Sequence, residues 1–310
     1  QSLYGTNWWL HLITLFIFAN ELPYSKHFHV YTSLFNSFFA KLEPPGRLPA
    51  MDLENIAEDS RFGVATVTDF TWKQMLDMYT CTECGRCREF CPTTITHKPL
   101  QPVLYLKTVR DQLYHEQASL LGSPGEARRA SEVALVPAVV DPEVIWACTT
   151  CRWCERACPL DITYVDKLVE MRRNLVLEKA EFPEEAQAAF RGYEVNGNPW
   201  QLPAEQRGDW AADLGVPLAA EAGGDFEYLF FVGSPGSYDD HGKKVSRALV
   251  TILQAAGVKL AILGPEEVST GDAARRLGNE YLFQMLAQQN VATMNGYGVK
   301  KIVTNCPHAF

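Results

Sequence analysis

Cys81-Thr82-Glu83-Cys84-Gly85-Arg86-Cys87-Arg88-Glu89-Phe90-Cys91-Pro92 and Cys148-Thr149-Thr150-Cys151-Arg152-Trp153-Cys154-Glu155-Arg156-Ala157-Cys158-Pro159 share one spacing, C-x2-C-x2-C-x3-C-P. Together they hold eight of the nine cysteines in the 310-residue chain. Such short spacings curl a loop around one object and leave backbone N–H groups pointing at sulfur. The proline after each fourth cysteine ends the loop and fixes its exit direction.

Each run follows the bacterial ferredoxin pattern, in which three cysteines of a run hold one cubane cluster and the fourth crosses to the other. On that pattern Cys81, Cys84, Cys87 and Cys158 hold one 4Fe–4S cluster, and Cys148, Cys151, Cys154 and Cys91 hold the second. Zinc sites also use C-x2-C pairs, but they favour pairs or Cys/His mixtures over two four-cysteine runs ending in Cys-Pro. Disulfides suit an oxidising compartment, and no secretory signal is visible. The expected chemistry is one-electron transfer in a reducing compartment.

Length leaves room for several small units rather than one core. The chain is 47% hydrophobic with net charge −9 and has no sustained basic stripe, which excludes nucleic acid as an expected partner. It starts at Gln1 and stops at Phe310 just after a strand-like run, so we expect the natural protein to extend in both directions. The fold class expected is multidomain: the C-terminal part of a transmembrane helix bundle (1–40), a linker (41–75), an α-helical dicluster ferredoxin domain (76–180), a second linker (181–224) and a partial α/β domain with a small parallel sheet (225–310).

The N-terminal forty residues are apolar and aromatic. Trp8 to Ala19 alone is short of the about 20 apolar residues that span a bilayer, but continued through Pro23 to Val30 the segment is long enough. His11 and His29 would then lie 18 residues, five helical turns, apart on one face. That is about 27 Å along a helix axis, close to the roughly 30 Å hydrocarbon thickness. One helix could thus present an axial histidine near each leaflet, Pro23 kinking it; an interfacial anchor with incidental histidines is the other reading. The ending Pro23-Tyr24-Ser25-Lys26-His27-Phe28-His29 resembles that of the haem b-binding γ subunits of respiratory nitrate reductases. The resemblance implies haem b with His11 and His29 as axial ligands. Lys41 and Arg47 just beyond favour the cytoplasmic side of the cytoplasmic membrane for the later segments.

Between the cysteine runs, Leu100–Leu121 and Ala127–Val139 have helix-like composition, and Ile162, Val165, Leu168, Val169 and Leu175 repeat at helical spacing. The region resembles the helix-rich dicluster domains of succinate dehydrogenase iron–sulfur subunits and heterodisulfide reductase C subunits. Arg86, Arg88, Arg152 and Arg156 interleave with the cysteines, where positive charge favours a reduced cluster; exposed, solvating arginines are the plainer reading. Trp153 either shields sulfur or fills an interface.

Beyond Asp225 strand-like runs (Tyr228–Val232, Lys259–Leu263, Lys301–Thr304) alternate with helix-like ones (Val245–Ala256, Ala273–Val291), which predicts a small parallel sheet. Gly233-Ser234-Pro235-Gly236 reads as a tight turn more readily than a phosphate loop. The stretches Val232–Asp239, Ser269–Glu280 and Thr304–Phe310 resemble the CCG (cysteine-rich) domain of heterodisulfide-reductase-like iron–sulfur oxidoreductases. With the haem-b-like N-terminus, they point to the membrane branch that includes electron-transfer-flavoprotein:menaquinone oxidoreductases. Typical members carry cysteine where this chain has Ser234, Ser269 and Ala309; only Cys306 remains, either a ligand completed from elsewhere or a plain buried thiol. The resemblance implies a quinone-linked oxidoreductase taking electrons from electron transfer flavoprotein or another soluble donor through two 4Fe–4S clusters to haem b and menaquinone. The alternatives are a heterodisulfide-reductase or lactate-utilisation type of catalytic subunit, and a non-catalytic wiring or docking subunit.

Overall fold

The computed structural model describes residues 2–44, 46–55, 61–123 and 132–310. Pro45, part of the acidic stretch to Asp59, and the first residues of the helix expected over Ala127–Val139 lie outside that set. The chain divides into two compact units, residues 1–50 with 59–174, and residues 51–58 with 175–310.

The first unit opens with α1 (Ser2–Glu21) and α2 (His29–Phe38), joined by 3-10 turns at Leu22–Tyr24 and Lys26–Phe28. The single helix expected to run from His11 past His29 is therefore broken. Pro23 cannot donate a backbone N–H, and the Ser25 side chain, in extended backbone, caps the next turn by accepting from His27 N–H. The five-turn register between the two histidines does not exist. α1 is apolar nearly all round, with Trp8, Leu10, Ile13, Phe16 and Ile17 exposed. Yet no helix among the described residues is long and apolar enough to cross a membrane; Thr6, Asn7, His11, Thr14 and Asn20 interrupt the apolar run of α1.

α3 (Trp72–Thr80) leads into the first cysteine run and starts at a reciprocal cap between Thr71 and Gln74. α4 (Pro102–Leu121) begins with proline, which loses nothing at a helix start, and buries Val103, Leu106, Val109 and Leu113 at helical spacing. α5 (Val165–Leu177) follows the second run and buries Val165, Leu168, Val169, Met171 and Leu175. Residues 41–75, expected as a linker, are partly core: Leu48, Val64, Val67 and Phe70 are buried. Gly63, at φ +70°, lies so close to α5 that an added Cβ would meet the Glu170 carbonyl oxygen at 2.1 Å. Of the expected helix over Ala127–Val139, the described part holds one short turn, Leu135–Ala138, with Val136 non-helical.

In the second unit β1 (Tyr228–Phe231), β2 (Leu260–Ala261) and β3 (Ile302–Thr304) form the expected parallel sheet in the order β2-β1-β3. Leu229 aligns with both Ala261 and Ile302. Alternate strand residues face opposite sides: Phe230, Val232, Leu260 and Ile262 pack with Trp210 and Val250, while Leu229, Ala261 and Leu263 pack with Ala219. The stretch 181–224 is thus no linker; it forms α6 (Glu184–Asn196), a 3-10 segment Ala204–Ala211, and core residues that a short sheet needs to cover its faces. α7 (Gly233–Tyr238), α8 (Asp240–Ala255), α9 (Asp272–Arg276) and α10 (Glu280–Gly296) complete the unit.

Candidate metal centres: two four-thiol cavities

The two cysteine loops fold alike. Glu83 and Gly85 have φ of 57° and 79°, and the corresponding residues of the second loop, Thr150 and Arg152, have φ of 56° and 59°. Three of these four left-handed positions hold side chains that resist the conformation by roughly 1–2 kcal/mol each. In both loops the residue two past the first cysteine then turns its N–H onto that cysteine: Glu83 onto Cys81, and Thr150 onto Cys148 Sγ at 3.4 Å. The N–H groups of Leu160 and Ile162 point at Cys158, and Thr93 Oγ1 lies 2.9 Å from Cys91 Sγ.

This folding brings the cysteines together as two crossed sets. Cys81, Cys84, Cys87 and Cys158 line one cavity with Gly85, Val103 and Leu160. Cys91, Cys148, Cys151 and Cys154 line another with Leu100, Tyr105 and Arg152. Among the described residues no three His, Cys, Asp or Glu side chains gather to hold one metal ion; in each case the four thiols form the walls of a space. Tyr164 lines both cavities, is buried, and donates its hydroxyl to Cys87. Sequence reading missed it, since a tyrosine six residues past the last cysteine carries no motif.

Electrostatics suit a cationic occupant. Burial, followed by repulsion from Cys81, Cys158 and Cys84, pushes the Cys87 thiol up to about 11. Burial likewise raises Cys81, Cys148, Cys154 and Cys158. Four thiolates crowded in low dielectric need neutralising positive charge, which bound iron would supply in exchange for the thiol protons. The N–H donors, the soft ligands and the cavities fit a 4Fe–4S cluster in each. Cys84 and Cys151 are the exposed members of their sets, so each cavity has one edge near solvent.

The surrounding cations differ from expectation. Arg86, Arg88 and Arg156 are exposed, but Arg152 is buried. Its Nη1 donates to Glu155 Oε2 at 2.7 Å and its Nη2 to Asp166 Oδ1 at 2.6 Å. Glu155 Oε1 in turn accepts the N–H groups of Tyr164 and Val165 at 2.8 Å each, tying the loop to the start of α5. Arg172, unremarked in the sequence, is fully buried and donates to the carbonyls of Ile145 and Cys148, both at 2.7 Å. Trp153 is exposed and sits edge-on to Phe90 at 5.3 Å, covering neither sulfur set.

The N-terminal segment is anchored on this unit. Asn36 of α2 is buried, donates to the Leu160 carbonyl at 2.8 Å and accepts from Lys73 of α3 at 2.8 Å. Phe28 meets Tyr79 edge-on at 5.8 Å. His29 Nδ1 lies 2.8 Å from the Lys26 carbonyl; since a carbonyl only accepts, Nδ1 is the donor in that contact. His11 lies on α1, on the far side of the break.

In the second unit Ser234, Ser269, Cys306 and His308 line one cavity of about 130 Å³ beyond the carboxyl ends of β1 and β3, where open α/β sheets place ligands. Gly233, at φ +75°, lies against Cys306, and an added Cβ would meet its Sγ at 2.7 Å. The hydroxyls are already engaged: Ser234 Oγ accepts from Arg207 at 3.3 Å, and Ser269 bonds Tyr193. With one thiol and one imidazole among hydroxyls, His308 Nδ1 2.8 Å from Asp272, and Ala309 offering no donor atom, these residues do not by themselves complete the ligand set of an iron–sulfur cluster.

Residues 77–162 match the family described as 4Fe-4S dicluster domain, and residues 228–309 match the cysteine-rich domain. The chain is 40% identical, over 98% of its length and 45% of the relative, to EtfAB:quinone oxidoreductase of Syntrophomonas wolfei. It is 38% identical, over 85% of its length and 40% of the relative, to a probable membrane-anchored ferredoxin of Chromohalobacter salexigens. It is 25% identical, over 85% of its length and 60% of the relative, to the D subunit of dihydromethanophenazine:CoB–CoM heterodisulfide reductase from Methanosarcina barkeri. No solved structure gives a significant match. The chain spans about half the length of the first of these curated relatives. Two crossed thiol sets in a stretch of the 4Fe-4S dicluster domain family, followed on the same chain by a stretch of the cysteine-rich domain family, make the chain similar to iron–sulfur proteins of the heterodisulfide-reductase-D-like kind.

Proposed function

We propose that the chain is the relay section of a membrane-associated, quinone-linked oxidoreductase that takes electrons from reduced electron transfer flavoprotein and delivers them to haem b and menaquinone. The observation that carries this reading is the pair of four-cysteine cavities sharing the Tyr164 wall. Bound there, two 4Fe–4S clusters supply one-electron storage and relay. The chain's residues would hold those groups, bury two cysteines of each set and leave Cys84 and Cys151 at the accessible edges. Asn36 and Lys73 fix α2 beside Leu160, whose N–H meets Cys158, so the His29 segment is held near the first set. The name of the Syntrophomonas relative supports flavoprotein and quinone as partners, and that of the Chromohalobacter relative supports the membrane, as does the exposed apolar surface of α1. The soluble parts then lie on the cytoplasmic side.

Haem b ligation by His11 and His29 is carried by the resemblance of 23–29; with Nδ1 of His29 engaged by the Lys26 carbonyl, Nε2 is the nitrogen that would face a haem iron. Replacing His29 with Ala in the full-length protein is expected to lower b-type haem content at least twofold by pyridine haemochrome assay; an unchanged haem spectrum removes haem from the account.

The overall reading is tested with purified full-length protein in menaquinone-containing vesicles, supplied with chemically reduced flavoprotein. Quinol should form at a rate that depends on both proteins. Clusters that reduce while quinol stays absent would leave a wiring subunit. Disulfide-reductase turnover abolished by Cys306→Ala would instead favour the catalytic alternative.

A further inference from the structure

The two cysteine loops fold alike, but at the second left-handed position the first has Gly85, which is half-buried, and the second has Arg152, which is buried. Glycine is at ease there and arginine is not, so the side chain must be retained for what it reaches. Arg152 is 7% exposed and forms part of the wall of the second thiol cavity. Its two Nη groups are fixed by Glu155 and Asp166, and Asp166 is fixed in turn by Lys41 at 3.1 Å. That fork immobilises the guanidinium and offsets its charge. One nitrogen of the guanidinium is left without any partner: Nε is buried and makes no hydrogen bond to the described residues. A buried donor without an acceptor is costly, and the described residues offer none, whereas cluster sulfur in the adjoining cavity is an acceptor.

We propose that Arg152 Nε–H donates to sulfur of the cluster held by Cys91, Cys148, Cys151 and Cys154, and thereby raises the reduction potential of that cluster alone. Reduction adds one electron to a cluster core with no bond to the protein made or broken, and the added negative charge strengthens the hydrogen bond. Gly85 gives the first cluster no counterpart; its side-chain donor is Tyr164, through Cys87. Arg110 also has an unpartnered Nε, but it lies in neither cavity wall and pairs with Glu83 at 2.7 Å, so it is no substitute. This inference rests on the cluster sites and is independent of which donor or quinone the protein serves.

The test is an anaerobic, EPR-monitored redox titration of the full chain with both clusters loaded, the second cluster's signal being identified by its loss in a Cys151→Ser sample. Arg152→Lys keeps a cation for Glu155 and Asp166 but has no Nε–H. It should shift the second cluster about tenfold toward oxidation, or about 59 mV lower for a one-electron couple, and leave the first unmoved. Arg152→Gly, matching the first loop, should shift it the same way. In D2O, the wild-type second cluster should show one more exchangeable-proton coupling by ENDOR than Arg152→Lys. An Arg152→Lys protein with full iron content and both potentials unchanged overturns the proposal, as does an equal shift of both clusters. If Arg152→Gly does not fold, Arg152→Lys and the ENDOR comparison still decide.

Discussion

Cys84→Ser and Cys151→Ser should each remove or degrade one cubane and spare the other. Each mutant should lose about half of the roughly eight irons a two-cluster protein carries, and each should lose a different EPR signal. The expectation follows from the crossed geometry: Cys84 stands with Cys81, Cys87 and Cys158, and Cys151 with Cys91, Cys148 and Cys154. Because the loops exchange their fourth ligands, Cys158→Ser should disturb the same signal as Cys84→Ser although it lies in the other run. If Cys158→Ser disturbs the Cys151 signal instead, the loops do not cross. Both exposed cysteines sit where serine causes little packing change, which keeps the comparison clean.

Breaking the buried ion pair between the helices that flank the two cysteine runs should give the largest loss of stability. Asp77 of α3 and Lys167 of α5 are both fully buried and 2.5 Å apart, with Lys73 at 2.7 Å and Thr163 Oγ1 at 2.7 Å on the same carboxylate. These contacts join the helix entering the first cysteine run to the helix leaving the second. Removing one partner of such a pair strands the other charge, at a cost of roughly 3–5 kcal/mol. Asp77→Asn should therefore lower the midpoint at which denaturant bleaches the cluster absorbance, with iron content at zero denaturant still measurable. The pH dependence has a fixed sign. Burial alone would raise the Asp77 carboxyl, but Lys167 and Lys73 outweigh it and hold it below its ordinary 3.8. A depressed carboxylate contributes stability that is present above the unfolded value and is lost only as pH falls through the folded one. The gap between wild type and Asp77→Asn should thus be the same at pH 7 and pH 5. A gap that closes by pH 5 would mean that Asp77 is not held ionised by these lysines.

The sequence carried the cofactor sites more fully than the chain's organisation. Eight cysteines in two identical runs have almost no other use, so the sequence leads one to expect the crossed sets as cluster ligands, and the two cavities are lined by the same residues. The three strands were legible because short apolar runs between helix-like segments are what a covered parallel sheet requires. The N-terminal helix was not legible because helical periodicity continues through Pro23 whether the proline bends the helix or ends it. Beside Ser25, which favours the turn as a cap, it ends it. The segments taken for linkers were judged by their acidic and turn-rich composition, yet Phe70, Trp210 and Ala219 bury themselves in cores that the sheet and clusters alone are too small to fill. Arg152 and Tyr164 gained their roles only in three dimensions: an arginine in a cysteine loop looks solvent-facing until Glu155 and Asp166 are seen to enclose it.

Iron and acid-labile sulfide counted on anaerobically purified protein, with Mössbauer spectra of the same sample, decide whether the two cavities hold clusters. Twin thiol nests predict about eight irons and eight sulfides per chain, all in cubane environments. Zinc in their place, or one cluster's worth of iron with all eight cysteines intact, would contradict it.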